Sequence, residues 1–176
     1  MAGSASAAGD ANVCRNRPDN KETLSASLPS DPMPRGPRWF LPNGVYHVTA
    51  RGTGGISIFM DDVDRAAFLH LLEQVRRRFR WSLSAYCLLG THYHLVVETE
   101  CERLSRGMHR LNGIYAQRFN RRHQRKGHLF EERFSSWVVR DELHLQATWR
   151  YVLANPVRAG LCRYAEDWPW SGFEAP

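Results

Sequence analysis

The order of strand-like and helix-like segments along the 176 residues predicts an α+β fold. It is a ferredoxin-like, split βαβ antiparallel sheet with helices, followed by a C-terminal helix that bears a tyrosine. Two observations identify the elements. Short runs that alternate apolar and polar residues, bounded by glycine, mark strands. Longer runs repeat apolar residues at three- and four-residue spacing, as a helix does when it buries one face. A third observation is their order, strand, helix, strand, strand, helix, strand, helix, which contains the two halves of a split βαβ unit.

The chain is long enough for one domain with tails. Residues 1 to 36 are small, polar and punctuated by proline, with too little apolar surface to offset the entropy of ordering. They read as a disordered leader ahead of a domain over residues 37–176. Gly44 to Gly52 (GVYHVTARG) alternates β-branched and aromatic residues and is the first strand. Asp61 and Asp62 can cap a helix whose apolar positions are Phe68, Leu71, Leu72, Val75 and Phe79. Trp81, Leu83, Ala85, Cys87 and Leu89 alternate with more polar residues and form a second strand. A turn at Gly90 then delivers a third strand over Thr91 to Glu98, completing a hairpin.

In the second helix, Leu104, Met108, Leu111, Tyr115 and Phe119 form the apolar stripe, and Arg103, Arg106, Arg110 and Arg118 surround it. Phe134 to Arg140 (FSSWVVR) is a fourth strand. Asp141 caps a third helix that runs through Tyr151 and is ended by Pro156 and Gly160.

Lysine and arginine outnumber the acids by 24 to 18, giving a net charge of +6 and a pI near 9.5. The excess clusters, most densely in Arg121-Arg122-His123-Gln124-Arg125-Lys126-Gly127-His128. Such a run reads either as a phosphate-gripping loop or as a solvated helix end. Aromatics flank it, and a nucleic acid is the expected partner, since the planar guanidinium fork matches phosphate. The four cysteines, Cys14, Cys87, Cys101 and Cys162, form no C-x-x-C pair, which argues against a zinc knuckle or a disulfide scaffold and fits a reduced, cytoplasmic setting. No apolar run is long enough for a membrane span, so no membrane partner is expected.

The chemistry starts at Thr91-His92-Tyr93-His94-Leu95-Val96-Val97-Glu98. Side chains two apart on a strand share a face, so His92 and His94 can converge on one metal ion while Tyr93, Leu95 and Val97 point into a core. Pairs of this kind also occur on ordinary strands. Two imidazoles leave a divalent ion short of ligands, and Tyr151-Val152-Leu153-Ala154-Asn155 supplies another donor. Residues four apart on a helix share a face, so the Asn155 amide oxygen could ligate while the Tyr151 phenol attacks. Tyr151 could equally pack on the sheet. Tyr115 is a competing nucleophile, but it lies on the apolar stripe of its helix with Phe119, not a ligand, one turn on.

These stretches resemble the HUH single-tyrosine transposases, and within them the REP-associated tyrosine transposases. The resemblance runs from about Pro34 to Phe173. It rests on GVYHVTARG, AYCLLGTHYHLVVE, SRGMHRLNGIYAQRFNRRHQRKGHLFEERF, RYVLANPVRAGL and WPWS. It implies that His92 and His94 are the metal-binding pair, that Tyr151 is the nucleophile, and that Asn155 is the third ligand where related transposases carry glutamine. Gly90-Thr91 departs from the Pro-Asn common before the first histidine.

The implied activity is metal-dependent cleavage and strand transfer of single-stranded DNA at hairpin-flanked, REP-like sites. Mg²⁺ or Mn²⁺ is the expected cofactor, and a 5′-phosphotyrosine the expected intermediate. Imidazole is an unusual partner for Mg²⁺, so Mn²⁺ should serve at least as well. The same resemblance admits a homodimer, and it also admits a domesticated hairpin-binding protein without cleavage. Arg103, Arg106, Arg110, Arg118, Arg121, Arg122, Arg125, Lys126 and His128 are the candidates for holding DNA, with Trp137, Phe130 and His128 available for base stacking. Met33-Pro34-Arg35-Gly36-Pro37 resembles the family's natural opening, so residues 1 to 32 are expected to be dispensable.

Overall fold

A computed structural model of the protein describes residues 43–174, so the leader and the opening at Met33 lie outside the described residues. The run GVYHVTAR forms β1 (Gly44–Arg51), and Asp61 caps α1 (Asp62–Phe79) by accepting a bond from the Asp64 amide at 3.1 Å. The hairpin follows as β2 (Ser82–Leu88) and β3 (His92–Thr99), then α2 (Cys101–Arg122) and β4 (Ser135–Val138). Asp141 caps α3 (Glu142–Arg158), and a short β5 (Ser171–Phe173) closes the described chain.

The five strands are antiparallel to their neighbours in the order β4-β1-β3-β2-β5. Without β5 this is the split βαβ order that the sequence predicts, with β1 and β3 in the centre. β5 starts at Ser171, the last residue of the WPWS segment, which carries no strand signal of its own. Arg65 of α1 lies over the rings of Trp168 and Trp170 at 5.6 and 5.8 Å and pins this segment down.

Each sheet face is covered, and the pleat decides which side chain goes where. Tyr46, Val48 and Ala50 of β1 and Tyr93, Leu95 and Val97 of β3 join Phe68, Leu71, Leu72 and Val75 of α1 and Leu104, Met108, Leu111, Tyr115 and Phe119 of α2 in one core. On the opposite face Ala85, Cys87, Leu89 and Val96 pack with Val152 of α3.

Two expectations change. The simple alternation read from Trp81 to Leu89 is broken by a register shift between Leu83 and Ala85. An extra residue flips the parity of a strand. Trp81 and Leu83 therefore face α1 and α2, whereas Ala85, Cys87 and Leu89 face α3. The third helix also does not stop at Pro156, which lies inside it, and α3 runs on to Arg158.

Gly107 of α2 sits against the Trp81 indole, where an added Cβ would lie 2.2 Å from Cζ2, whereas at Gly113 of the same helix nothing among the described residues lies within 4 Å. Gly107→Ala should destabilise the fold by about 1–2 kcal/mol, overpacking outweighing the gain in helix propensity. Gly113→Ala should stabilise it by about 0.5–1 kcal/mol. Urea denaturation of the two variants checks both signs.

Candidate functional site

The register of β1 on β3 builds the site. Thr49 lies opposite His94 and Arg51 opposite His92, with His47 opposite Val96, so all share the face that α3 covers. His92 and His94 are brought together with ring centroids 5.1 Å apart. Thr91, the residue that departs from the family pattern, holds His92 Nδ1 at 3.0 Å from its Oγ1 and leaves Nε2 for a ligand. His94 Nδ1 lies 2.9 Å from Nε2 of His47. Among the described residues His94 Nε2 is buried and has no hydrogen-bond partner.

α3 crosses this face and brings Tyr151 edge-on to both rings, at 5.7 Å from His94 and 5.9 Å from His47. Asn155 follows one turn later and is buried. Its amide explains how the helix passes a proline. Pro156 has no N–H to give the Val152 carbonyl. Asn155 Nδ2 donates to the Tyr151 carbonyl at 2.8 Å and reaches that of Val152 at 3.5 Å. With Nδ2 committed, Oδ1 is the atom left for a cation.

The electrostatics favour neutral imidazoles. Burial, with His47 and His92 adding to it, holds His94 well below the ordinary imidazole pKa. Burial and then Arg51 lower His92, and burial and then His144 push His47 down to about 4. Each ring therefore keeps a lone pair at neutral pH. Among the described residues no group of three or more His, Cys, Asp or Glu side chains gathers to hold a metal ion. The Asn155 amide oxygen is a further donor on α3, one helical turn from Tyr151.

Tyr115, the competing nucleophile, is core. It is 1% exposed, and its hydroxyl donates to the Ile58 carbonyl at 2.6 Å.

Three site residues escape the sequence reading. His47 lay in a strand whose partner was unknown. Arg51 looked like a strand end, yet it stands opposite His92. Arg158 lies past the Pro156 that the sequence reads as a helix end, and its guanidinium lies 5.3 Å from the centre of the Tyr151 ring.

The basic stripe is elsewhere. α2 covers the other face of the sheet, so Arg103, Arg106, Arg110, Arg118 and Arg121 are not gathered around the histidines. Arg103 pairs with Glu100, and Arg106 with Glu102. Arg122 is a brace, bonded to Asp61 and to buried Asp64, each at 2.6 Å. Arg125 packs over Phe119 at 5.9 Å, while Lys126 and His128 are exposed.

An open groove of about 2090 Å³ runs between α2 and residues 127–134, lined by Arg106, His109, Arg110, His128, Phe130 and Arg133 among others. Phe130 bridges to Gly52, next to Arg51, so one rim of the groove reaches the His92 end of the site. Phe130 is partly committed to the core beside Tyr93 and Tyr115, and Trp137 packs 5.5 Å from His47.

Residues 42–155 match the family described as Transposase IS200 like. A Haemophilus influenzae protein, provisionally named a REP-associated tyrosine transposase, is 25% identical over an alignment of 117 residues, and the match covers 60% of this chain and 66% of that one. The chain thus spans just under two thirds of that relative's length. A REP-associated tyrosine transposase solved bound to a REP hairpin shares the fold, with a TM-score of 0.61 and 19% identity over 79% of this chain and 82% of that chain. A provisionally named transposase from Deinococcus radiodurans aligns at a TM-score of 0.47 and 16% identity, over 68% of this chain and 95% of that chain.

Because Asp64 is 3% exposed and is bonded by Arg122 and His123, Arg122→Ala should leave this buried side chain short of a partner and lower the urea midpoint. Arg121→Ala, at an exposed position of the same helix end, should leave it in place. An equal effect of the two would show that Arg122 is not a brace.

Proposed function

The chain belongs to the IS200-like transposase family, and from that premise we propose that it cuts single-stranded DNA beside hairpins and transfers the cut strand. The observation that carries this reading is the meeting of three features on one sheet face. They are the neutral histidine pair, the buried Nε2 of His94, which has no hydrogen-bond partner among the described residues, and the Tyr151 ring of α3, with Asn155 one helical turn beyond it.

A divalent ion fits these residues. His92 through Nε2, His94 through Nε2 and Asn155 through Oδ1 would hold it, and an ion so held satisfies a buried nitrogen that otherwise has no partner. When bound, Mg²⁺ or Mn²⁺ would polarise a phosphate oxygen. The remaining work falls to the chain. The Tyr151 hydroxyl attacks phosphorus, a phenolic O–P bond forms, and the bond from phosphorus to the 3′ oxygen breaks.

The phenol gives up its proton, the 3′ oxygen takes one, and the strand is left as a 5′-phosphotyrosine beside a free 3′-hydroxyl. A second 3′-hydroxyl can reverse the step on another strand, so transfer needs no nucleotide cofactor. Arg158 beside the Tyr151 ring and Arg51 opposite His92 supply positive charge where the phosphate must lie. Exposed Arg110, Arg118, Arg121, Lys126 and His128, together with the groove beside α2, offer the hairpin phosphates a surface that leads round the Gly52 rim to the site. The catalytic domain is residues 37–176, and residues 1–32 are dispensable.

Purified protein given a hairpin-flanked single strand and Mg²⁺ or Mn²⁺ should form an SDS-stable covalent adduct. Tyr151→Phe should abolish it, Tyr115→Phe should keep it, and a chelator should prevent it. An adduct that persists in Tyr151→Phe would remove Tyr151 as nucleophile. Tight hairpin binding with no adduct in the wild type would make the chain a binding protein.

A further inference from the structure

Resting on the metal-site reading above, we infer that His47 is a positioning residue that sets the tautomer of His94. His94 is thereby made to offer a lone pair at Nε2. The two side chains are each 5% exposed, and His47 Nε2 lies 2.9 Å from His94 Nδ1. A neutral imidazole carries one N–H, so this contact holds a single proton and allows two arrangements.

If His47 donates, His94 must carry its own proton on Nε2, where it finds no acceptor among the described residues, since that nitrogen is buried without a partner there. A buried N–H without an acceptor is costly, and the atom has no lone pair for a cation. If His94 donates from Nδ1, His47 accepts at Nε2, and the His94 lone pair is left on the unpartnered nitrogen. A cation relieves the second arrangement only.

His47 is held to this task from both sides. Its ring lies nearly parallel to that of His94, with centroids 5.1 Å apart and an interplanar angle of 20°. Trp137 of β4 packs against it at 5.5 Å, and Tyr151 of α3 meets it edge-on at 5.9 Å. With its Nε2 spent on His94, His47 orients a ligand rather than joining the ligand set, the role that hydrogen-bond partners of metal-binding histidines commonly fill. Because it also touches Tyr151, the same ring keeps ligand and nucleophile in register.

The full chain should be titrated with Mn²⁺ alone, reading the EPR signal of the free ion. His47→Leu should weaken binding by about 10- to 100-fold. His47→Gln, which restores an acceptor, should recover most of that loss. In the wild type, long-range ¹H–¹⁵N spectra should show His94 protonated at Nδ1, a readout that needs no variant. A wild type that binds no Mn²⁺, or a His92→Ala variant that binds it equally well, would overturn the metal-site reading itself. With that reading intact, the role of His47 is overturned by unchanged affinity in His47→Leu, by His47→Gln as weak as His47→Leu, or by a wild-type His94 protonated at Nε2.

Discussion

The antiparallel register of β1 on β3 is the constraint on which the rest of the molecule depends. It sets Thr49 against His94 and Arg51 against His92, and it brings His47 beside His94 on the same face. A slip of one residue would turn Tyr46 and Val48 toward α3 and His47 toward the larger core, since strand side chains alternate faces. The large aromatic and aliphatic side chains on the α1 and α2 side hold the register. Core packing on one face thus positions polar chemistry on the other.

The second requirement is a helix that survives its own proline. Were α3 to end before Pro156, Asn155 would lie at a fraying end and Arg158 would leave the helix. The Asn155 amide reaches the carbonyl that the proline cannot serve, and the turn continues. One side chain therefore supports the backbone through its nitrogen. Arg158, seven residues beyond Tyr151, then returns to the same side of the helix and stands by the phenol ring.

Charge is divided between the two faces. The dense arginine run that dominates the sequence lies with α2, across the sheet from the histidines, and one of its members is a brace for Asp64. The cations beside the chemistry, Arg51 and Arg158, are isolated in sequence. Between the two regions lies the rim where Gly52 meets Phe130. Two separate sets of positive charge follow from this layout, one along α2 and one beside His92 and Tyr151.

Much of this was legible in the chain itself. Helix periodicity located the stripes of α1 and α2, the Asp61 and Asp141 caps marked helix starts, and the spacing of His92 and His94 put them on one strand face. Tyr151 and Asn155 were one turn apart on any reading. These are local properties, decided within a few residues by backbone geometry.

What remained hidden depended on contacts between distant segments. His47 became a partner of His94 only when β1 paired with β3, the faces of Leu83 and Ala85 were decided by a bulge against β3, and Arg122 revealed its role only beside Asp61 and Asp64. Periodicity states which residues share a face of one element. It carries no information on which element lies opposite, and that is decided by the packing of the whole core.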